Sequence, residues 1–167
     1  GSMAVSIFSK AGYEVIASTG KTSAHEYLKK LGATRCEDRS FCNDEKKRPV
    51  TRTKWAGGID TVGGNTLATL MAGCGKNGSI AVCGLVASPK LETTVYPFLL
   101  NGVNLIGVES AETQMETRLE LWDKLSSKWK PNNLEDIVTD ISLNQLDDYI
   151  LKILEGKTQG RVVVKHG

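Results

Sequence analysis

The sequence predicts an α/β fold, a doubly wound parallel sheet with helices on both faces, and three observations lead there. Short apolar runs alternate with amphipathic segments along most of the chain, the pattern left by strands joined through crossover helices. The run Gly78–Gly84, GSIAVCG, is apolar enough to be buried on both faces, as parallel strands are. Strand after strand ends in glycine or small polar residues: Ser18-Thr19-Gly20, Val62-Gly63-Gly64, Cys83-Gly84-Leu85 and Glu109-Ser110. Ligands of such sheets sit at the carboxyl ends of the strands, where only a minimal side chain lets a flat, phosphate-bearing molecule approach the backbone. The competing reading is a glycine-rich fold with short turns.

Each element has its own justification. Residues 1–11 read as a helix with Val5 and Phe8 on one face and Gly12 as its stop. A strand follows over Tyr13–Ser18, and Ser18-Thr19-Gly20-Lys21 at its end supplies two hydroxyls, a glycine and one positive charge. Ser23-Ala24-His25-Glu26 has the form of a capping box, and its helix turns Tyr27, Leu28 and Leu31 inward before Gly32. His25, in the first turn, reads as solvated. Ala33–Glu37 is a short second strand. Asp38 to Trp55 is highly charged and reads as a solvated helix or loop rather than a binding patch.

Gly57–Gly64 is a strand between glycine turns, followed by a helix over 65–73 with Leu67, Leu70 and Met71 inward. After the Gly78–Gly84 strand and a loop holding Pro89, the run Thr93–Leu100 leads into a strand over Val103–Val108. Thr113–Trp129 is a long amphipathic helix with Met115, Leu119, Trp122 and Leu125 on one face. Ile137–Ile141 is extended. Ser142–Leu154 is a helix with Leu143, Leu146, Ile150 and Leu154 inward, and Arg161–Lys165 a last strand beyond the turn Gly156–Gly160.

Bulk properties narrow the function classes. With 167 residues the chain fits one domain, 1–167, able to bury a proper core. A net charge of +2 argues against a nucleic-acid or membrane-surface partner. No apolar run approaches the roughly 18 residues of a membrane span, and no signal-peptide pattern opens the chain, so a cytoplasmic location is expected. Cys36, Cys42, Cys74 and Cys83 form no CxxC pair, and His25 and His166 lie far apart in sequence. No metal site is expected, and the thiols read as reduced and structural, Cys83 as a small core residue.

Several stretches resemble one family. GSMAVSIFSKAGYEVIASTGK, WAGGIDTVGG, SIAVCGLV, TTVYPFLLNGVNLIGVES and ISLNQLDDYILKILEGKTQGRVVVK are similar, in order and over almost the whole chain, to the cofactor half of zinc-free medium-chain reductases. The nearest group is that of quinone oxidoreductases and acryloyl-CoA reductases. The charged stretch Phe41–Arg52 is the main departure. The resemblance implies a Rossmann-like sheet whose first, central strand and glycine-rich turn are missing here, as is the GroES-like domain that shapes the substrate cleft. Gly1-Ser2 stand either as the last residues of that turn or as a remnant of cloning. An incomplete sheet is expected to show marginal stability or self-association into a homo-oligomer.

The resemblance also assigns roles. Ser18, Thr19, Gly20 and Lys21, with Arg35 from the next strand, would hold the 2′-phosphate of NADP(H). Gly84 and Leu85 would pack near the nicotinamide ribose, and Val95 and Ser110 near the nicotinamide. The residues agree with that cofactor: no acid stands at the tip of the Tyr13 strand, where an NAD site places one for the ribose hydroxyl. Asp60 reads as a strand-end structural carboxylate rather than a base. No residue stands out as a proton donor, and the catalytic residues stay unassigned. The implied activity is hydride transfer to an activated C=C bond of a small-molecule enoyl or quinone substrate, with this chain inactive alone. The alternatives are a non-catalytic nucleotide-binding module and a structural piece without ligand.

Overall fold

The computed structural model describes residues 1–166. Seven strands alternate with six helices along the described chain: α1 Ser2–Lys10, β1 Ile16–Ser18, α2 His25–Lys30, β2 Arg35–Glu37, β3 Trp55–Asp60, α3 Gly64–Ala72, β4 Cys74–Val82, α4 Tyr96–Asn101, β5 Asn104–Gly107, α5 Met115–Ser126, β6 Val138–Ser142, α6 Leu146–Leu154 and β7 Arg161–Lys165. The α/β alternation is the one the sequence predicts. The ladders β3–β4, β4–β5 and β6–β7 are parallel. The strands fall into three sheets, β1-β2, β3-β4-β5 and β6-β7. No ladder joins β1 to β3 among the described residues.

The chain divides into two compact units. One comprises Ser18–Gly20 and Glu37–Arg118, with Gly1; the other comprises Ser2–Ala17, Lys21–Cys36 and the chain from Leu119 onward. In the first, the sheet unit, α3 closes over β3–β5, and Leu67, Met71, Cys74, Ile80 and Val103 form the core. β4 starts earlier than expected, and its register against β3 shifts between Trp55↔Cys74 and Gly57↔Ser79. The shift leaves Asn77 at a φ of 58° inside the strand. Gly102, at a φ of 59°, ends α4 in the left-handed conformation that suits glycine.

In the second, the helix unit, Val5, Ala17, Ala24, Leu28, Leu31, Ala33 and Ile137 form the core. Gly32, at a φ of 106°, stops the α2 segment as predicted. Two expectations change here. The Ser23/Glu26 capping box does not form: a 3₁₀ turn over Thr22–Ala24 precedes α2, which puts Ser23 inside the helical run rather than ahead of it. Glu26 pairs with Lys29 at 3.0 Å instead. A capping box forms further on, between Ser142 and Gln145. The faces expected to turn inward on α5 and α6 also stay open, with no buried residue on either helix. Leu143, Ile150 and Leu154 are exposed, as are Met115, Leu119 and Trp122.

Among the described residues no helix is long and apolar enough to cross a membrane. The four cysteines are free thiols. Cys83 is exposed, against the expectation of a core residue, because β4 ends at Val82 and leaves it on the outgoing loop. His25 is half-buried rather than solvated, with Nε2 lacking a hydrogen-bond partner.

Candidate functional site

The predicted phosphate-binding residues divide between the two units. The sheet unit holds Ser18, Thr19 and Gly20, the tip of β1. Thr19 N–H donates to the Glu37 carbonyl at 2.9 Å, and the Ser18 hydroxyl donates to the Asp38 carbonyl at 3.3 Å. The tip is therefore tied to the end of β2. Asp38 next turns the chain: its carboxylate accepts from Ser40 N–H at 2.9 Å and starts a 3₁₀ turn over Arg39–Cys42. That hydrogen bond holds the Asp38 carboxyl below its ordinary value.

The turn brings Arg39 onto Gly20. A Cβ on Gly20 would stand 2.8 Å from Arg39 Nε and 3.2 Å from its Cζ, so the guanidinium rests on the glycine backbone. Arg39 is exposed, and sequence reasoning passed over it as part of a charged stretch. The available signal was a basic residue two positions beyond a strand's carboxyl end. Below this tip Cys42 is buried, and burial pushes its thiol up.

The helix unit holds Lys21 and Arg35. Lys21 is half-buried, and its Nζ donates to the Thr158 carbonyl at 2.7 Å. Arg35 is exposed at the start of β2, its N–H directed at the Val15 carbonyl at 3.4 Å.

The remaining strand tips lie in the sheet unit, and there the glycines have a packing reason. A Cβ on Gly84 would stand 2.1 Å from the Thr61 carbonyl oxygen, and one on Gly63 would stand 2.5 Å from that of Ser88. Gly63 bridges Ser88, and Ala87 N–H donates to the Val62 carbonyl at 2.8 Å. These glycines let two backbone segments meet each other, a use the clustering argument gave only to the alternative reading. Leu85 and Val95 are 65% and 62% exposed, and Val95 stands at the N-cap of α4. The Ser110 carbonyl accepts from Arg118 Nη2 at 2.9 Å, in a loop where Glu109 caps Ala111 and Glu112.

Asp60 fits the structural role expected of it. It is 1% exposed, and its Oδ2 accepts from Gly63 N–H at 2.7 Å and Val62 N–H at 3.3 Å. Its Oδ1 is buried without a partner. The charged stretch forms a loop tied by Asp44 to Arg48 at 2.8 Å and by Lys47 to Glu92 at 2.7 Å. With Asn65, Thr69 and residues 91–94 it borders an open cavity of about 410 Å³ that includes none of the predicted site residues.

Comparison with known proteins gives the chain a family. A family model described as zinc-binding dehydrogenase matches residues 1–127. The chain is 40% identical over 166 residues to a Bacillus subtilis (strain 168) protein named "Putative quinone oxidoreductase YhfP", covering 99% of this chain and 50% of that one. It is 39% identical over 164 residues to the acrylyl-CoA reductase AcuI of Ruegeria pomeroyi, covering 98% and 50%. The crystal structure of B. subtilis yhfP with NAD bound superposes with a TM-score of 0.94, and that of Escherichia coli K-12 YhdH with bound NADPH with 0.92. Both are 40% identical; the first covers 98% of this chain, the second 99%, and each match covers 50% of the solved chain. The chain thus spans about half the length of the curated relatives it matches. Among the described residues no group of three or more His, Cys, Asp or Glu is placed to hold a metal.

Proposed function

The chain belongs to the zinc-binding dehydrogenase family, and from that premise we propose that it is the NADPH-binding part of an oxidoreductase acting on an activated C=C bond. Two solved relatives were crystallised with different cofactors, NAD in one and NADPH in the other. The choice between them therefore rests on this chain's own residues. The observation that carries it is Arg39 lying on Gly20, in a run Ser18-Thr19-Gly20-Lys21 that offers hydroxyls and a lysine and contains no acid of its own. Guanidinium, hydroxyl and backbone donors suit a phosphomonoester, and a ribose diol would instead call for a carboxylate.

In this reading Ser18, Thr19, Gly20, Lys21, Arg35 and Arg39 serve the adenosine 2′-phosphate. Gly84 and Leu85 line the nicotinamide ribose, and Val95 and Ser110 the nicotinamide. When bound, the cofactor supplies the hydride, and the protein orients it. The substrate class, an enoyl thioester or a quinone, follows from the names of the relatives; the acceptor carbon takes the hydride and its neighbour a proton. None of this chain's residues is assigned as the donor of that proton, so turnover by this chain alone is not expected.

Calorimetric titration with NADPH and NADH tests the reading. NADPH is expected to bind at least tenfold tighter, about 1.4 kcal/mol or more. Equal or tighter binding of NADH would overturn the 2′-phosphate assignment. Steady NADPH oxidation by this chain with acryloyl-CoA would overturn its inactivity.

A further inference from the structure

We infer that the turn Gly156–Gly160 is a positioning element for cofactor choice, because it aims Lys21. The inference rests on the proposed role of Lys21 at the 2′-phosphate and adds a determinant far away in sequence. A lysine ammonium on a flexible four-carbon stem ordinarily samples many rotamers, and holding it at one place costs entropy. Here Lys21 Nζ donates to the Thr158 carbonyl at 2.7 Å, a partly buried bond across 137 residues. One of the three ammonium donors is thereby fixed to main chain, and the direction of the side chain is set before any phosphate arrives.

The carbonyl itself is held. On the α6 side, Gly156 N–H donates to Ile153 O at 2.9 Å and Lys157 N–H to Lys152 O at 2.7 Å. On the β7 side, Arg161 pairs with Val138. Between them Gly160 takes a φ of 72° and sits so close to β6 that a Cβ would stand 2.2 Å from the Ile137 carbonyl oxygen and 3.2 Å from the Tyr27 hydroxyl. Thr158 O is thus a backbone acceptor on a turn fixed at both ends. The backbone of Lys21 is fixed too: its carbonyl accepts from Ala24 N–H at 3.0 Å at the start of the turn leading into α2. Both ends of the side chain's path are set by main chain, and all of these residues belong to the helix unit.

A single glycine inserted between Lys157 and Thr158 displaces the carbonyl while leaving every side chain of the chain in place; exposed turns tolerate such insertions. In the full chain, the insertion is expected to weaken NADPH binding about tenfold, the scale of one charge-assisted contact, with NADH affinity unchanged. Lys21→Ala is expected to weaken NADPH by a similar factor in the parent and to have no further effect in the insertion variant. The cofactor-free readout is the Lys21 ammonium resonance by NMR: slow to exchange in the parent, fast in the insertion variant. An unchanged NADPH affinity in the insertion variant, or additive losses in the double variant, would overturn the inference while Lys21 keeps its role. A Lys21→Ala variant that binds NADPH as the parent does would overturn that role as well.

Discussion

In the sheet unit, large side chains fill the interior: Met71 and Ile80, both fully buried, cluster with Leu67 and Val103 under α3. In the helix unit three of the seven core residues are alanines, Ala17, Ala24 and Ala33, and the apolar residues of α6 stay outside. The same contrast appears at the candidate site. In the sheet unit Arg39 lies as an exposed side chain on the backbone of Gly20, whereas in the helix unit Lys21 is tied to a carbonyl on a fixed turn. Large buried side chains make a unit sensitive to volume. Alanines at three of the core positions make the helix unit sensitive to backbone position as well, and there a charged side chain is oriented by main chain.

The largest effect should come from the sheet unit's core. Met71→Ala removes a fully buried side chain and is expected to cost about 2–5 kcal/mol in urea unfolding. Leu154→Ala on α6, where the side chain is 78% exposed, should change stability by less than about 0.5 kcal/mol. Comparable losses at the two positions would dissolve the contrast between the units.

The glycines offer a finer cut. Gly84→Ala forces a Cβ against the Thr61 backbone and is expected to cost about 1–3 kcal/mol. Gly20→Ala meets only the side chain of Arg39, so stability should hold while NADPH binding weakens as the guanidinium is pushed aside. A stability loss at Gly20 equal to that at Gly84 would place both glycines in the same packing role.

The smallest effect concerns Asp44. Its hydrogen bond to Arg48 lowers its carboxyl from 3.8 to about 2. A depressed folded-state value means the contribution is complete above the unfolded pKa and is lost as pH falls from about 4 toward 2. Because Arg48 is exposed the effect should be small. NMR titration of the Asp44 carboxyl should give a midpoint near 2, and Arg48→Ala should return it to the ordinary range.

Much of this was legible in the sequence because periodicity and punctuation are local. Gly12 and Gly32 mark real ends, and the run around Ile80 is a strand, with Ile80 itself fully buried but Ser79 exposed and Ala81 and Val82 half-buried rather than buried on both faces. Ser18, Thr19 and Gly20 fall at a strand tip as the pattern requires. What failed depended on tertiary context. The spacing on α5 and α6 identifies an apolar face but not what covers it, and the residues present leave it open. The capping box at Ser23 lost to a 3₁₀ turn that begins one residue earlier. The packing need at Gly63 and Gly84, where one backbone lies on another, was likewise not visible in the sequence. Neither Arg39 over Gly20 nor Lys21 on Thr158 could be read from spacing, since the first depends on a turn capped by Asp38 and the second on a contact 137 residues away.

The most direct test is to follow backbone amides and arginine Nε–H signals by NMR while adding adenosine 2′-phosphate or unphosphorylated adenosine. The account predicts that the phosphate alone shifts Ser18, Thr19, Gly20 and Arg39 Nε–H, and that Arg39→Ala removes most of the affinity difference between the two compounds. Equal shifts with adenosine, or shifts that leave the β1 tip and Arg39 untouched, would contradict it.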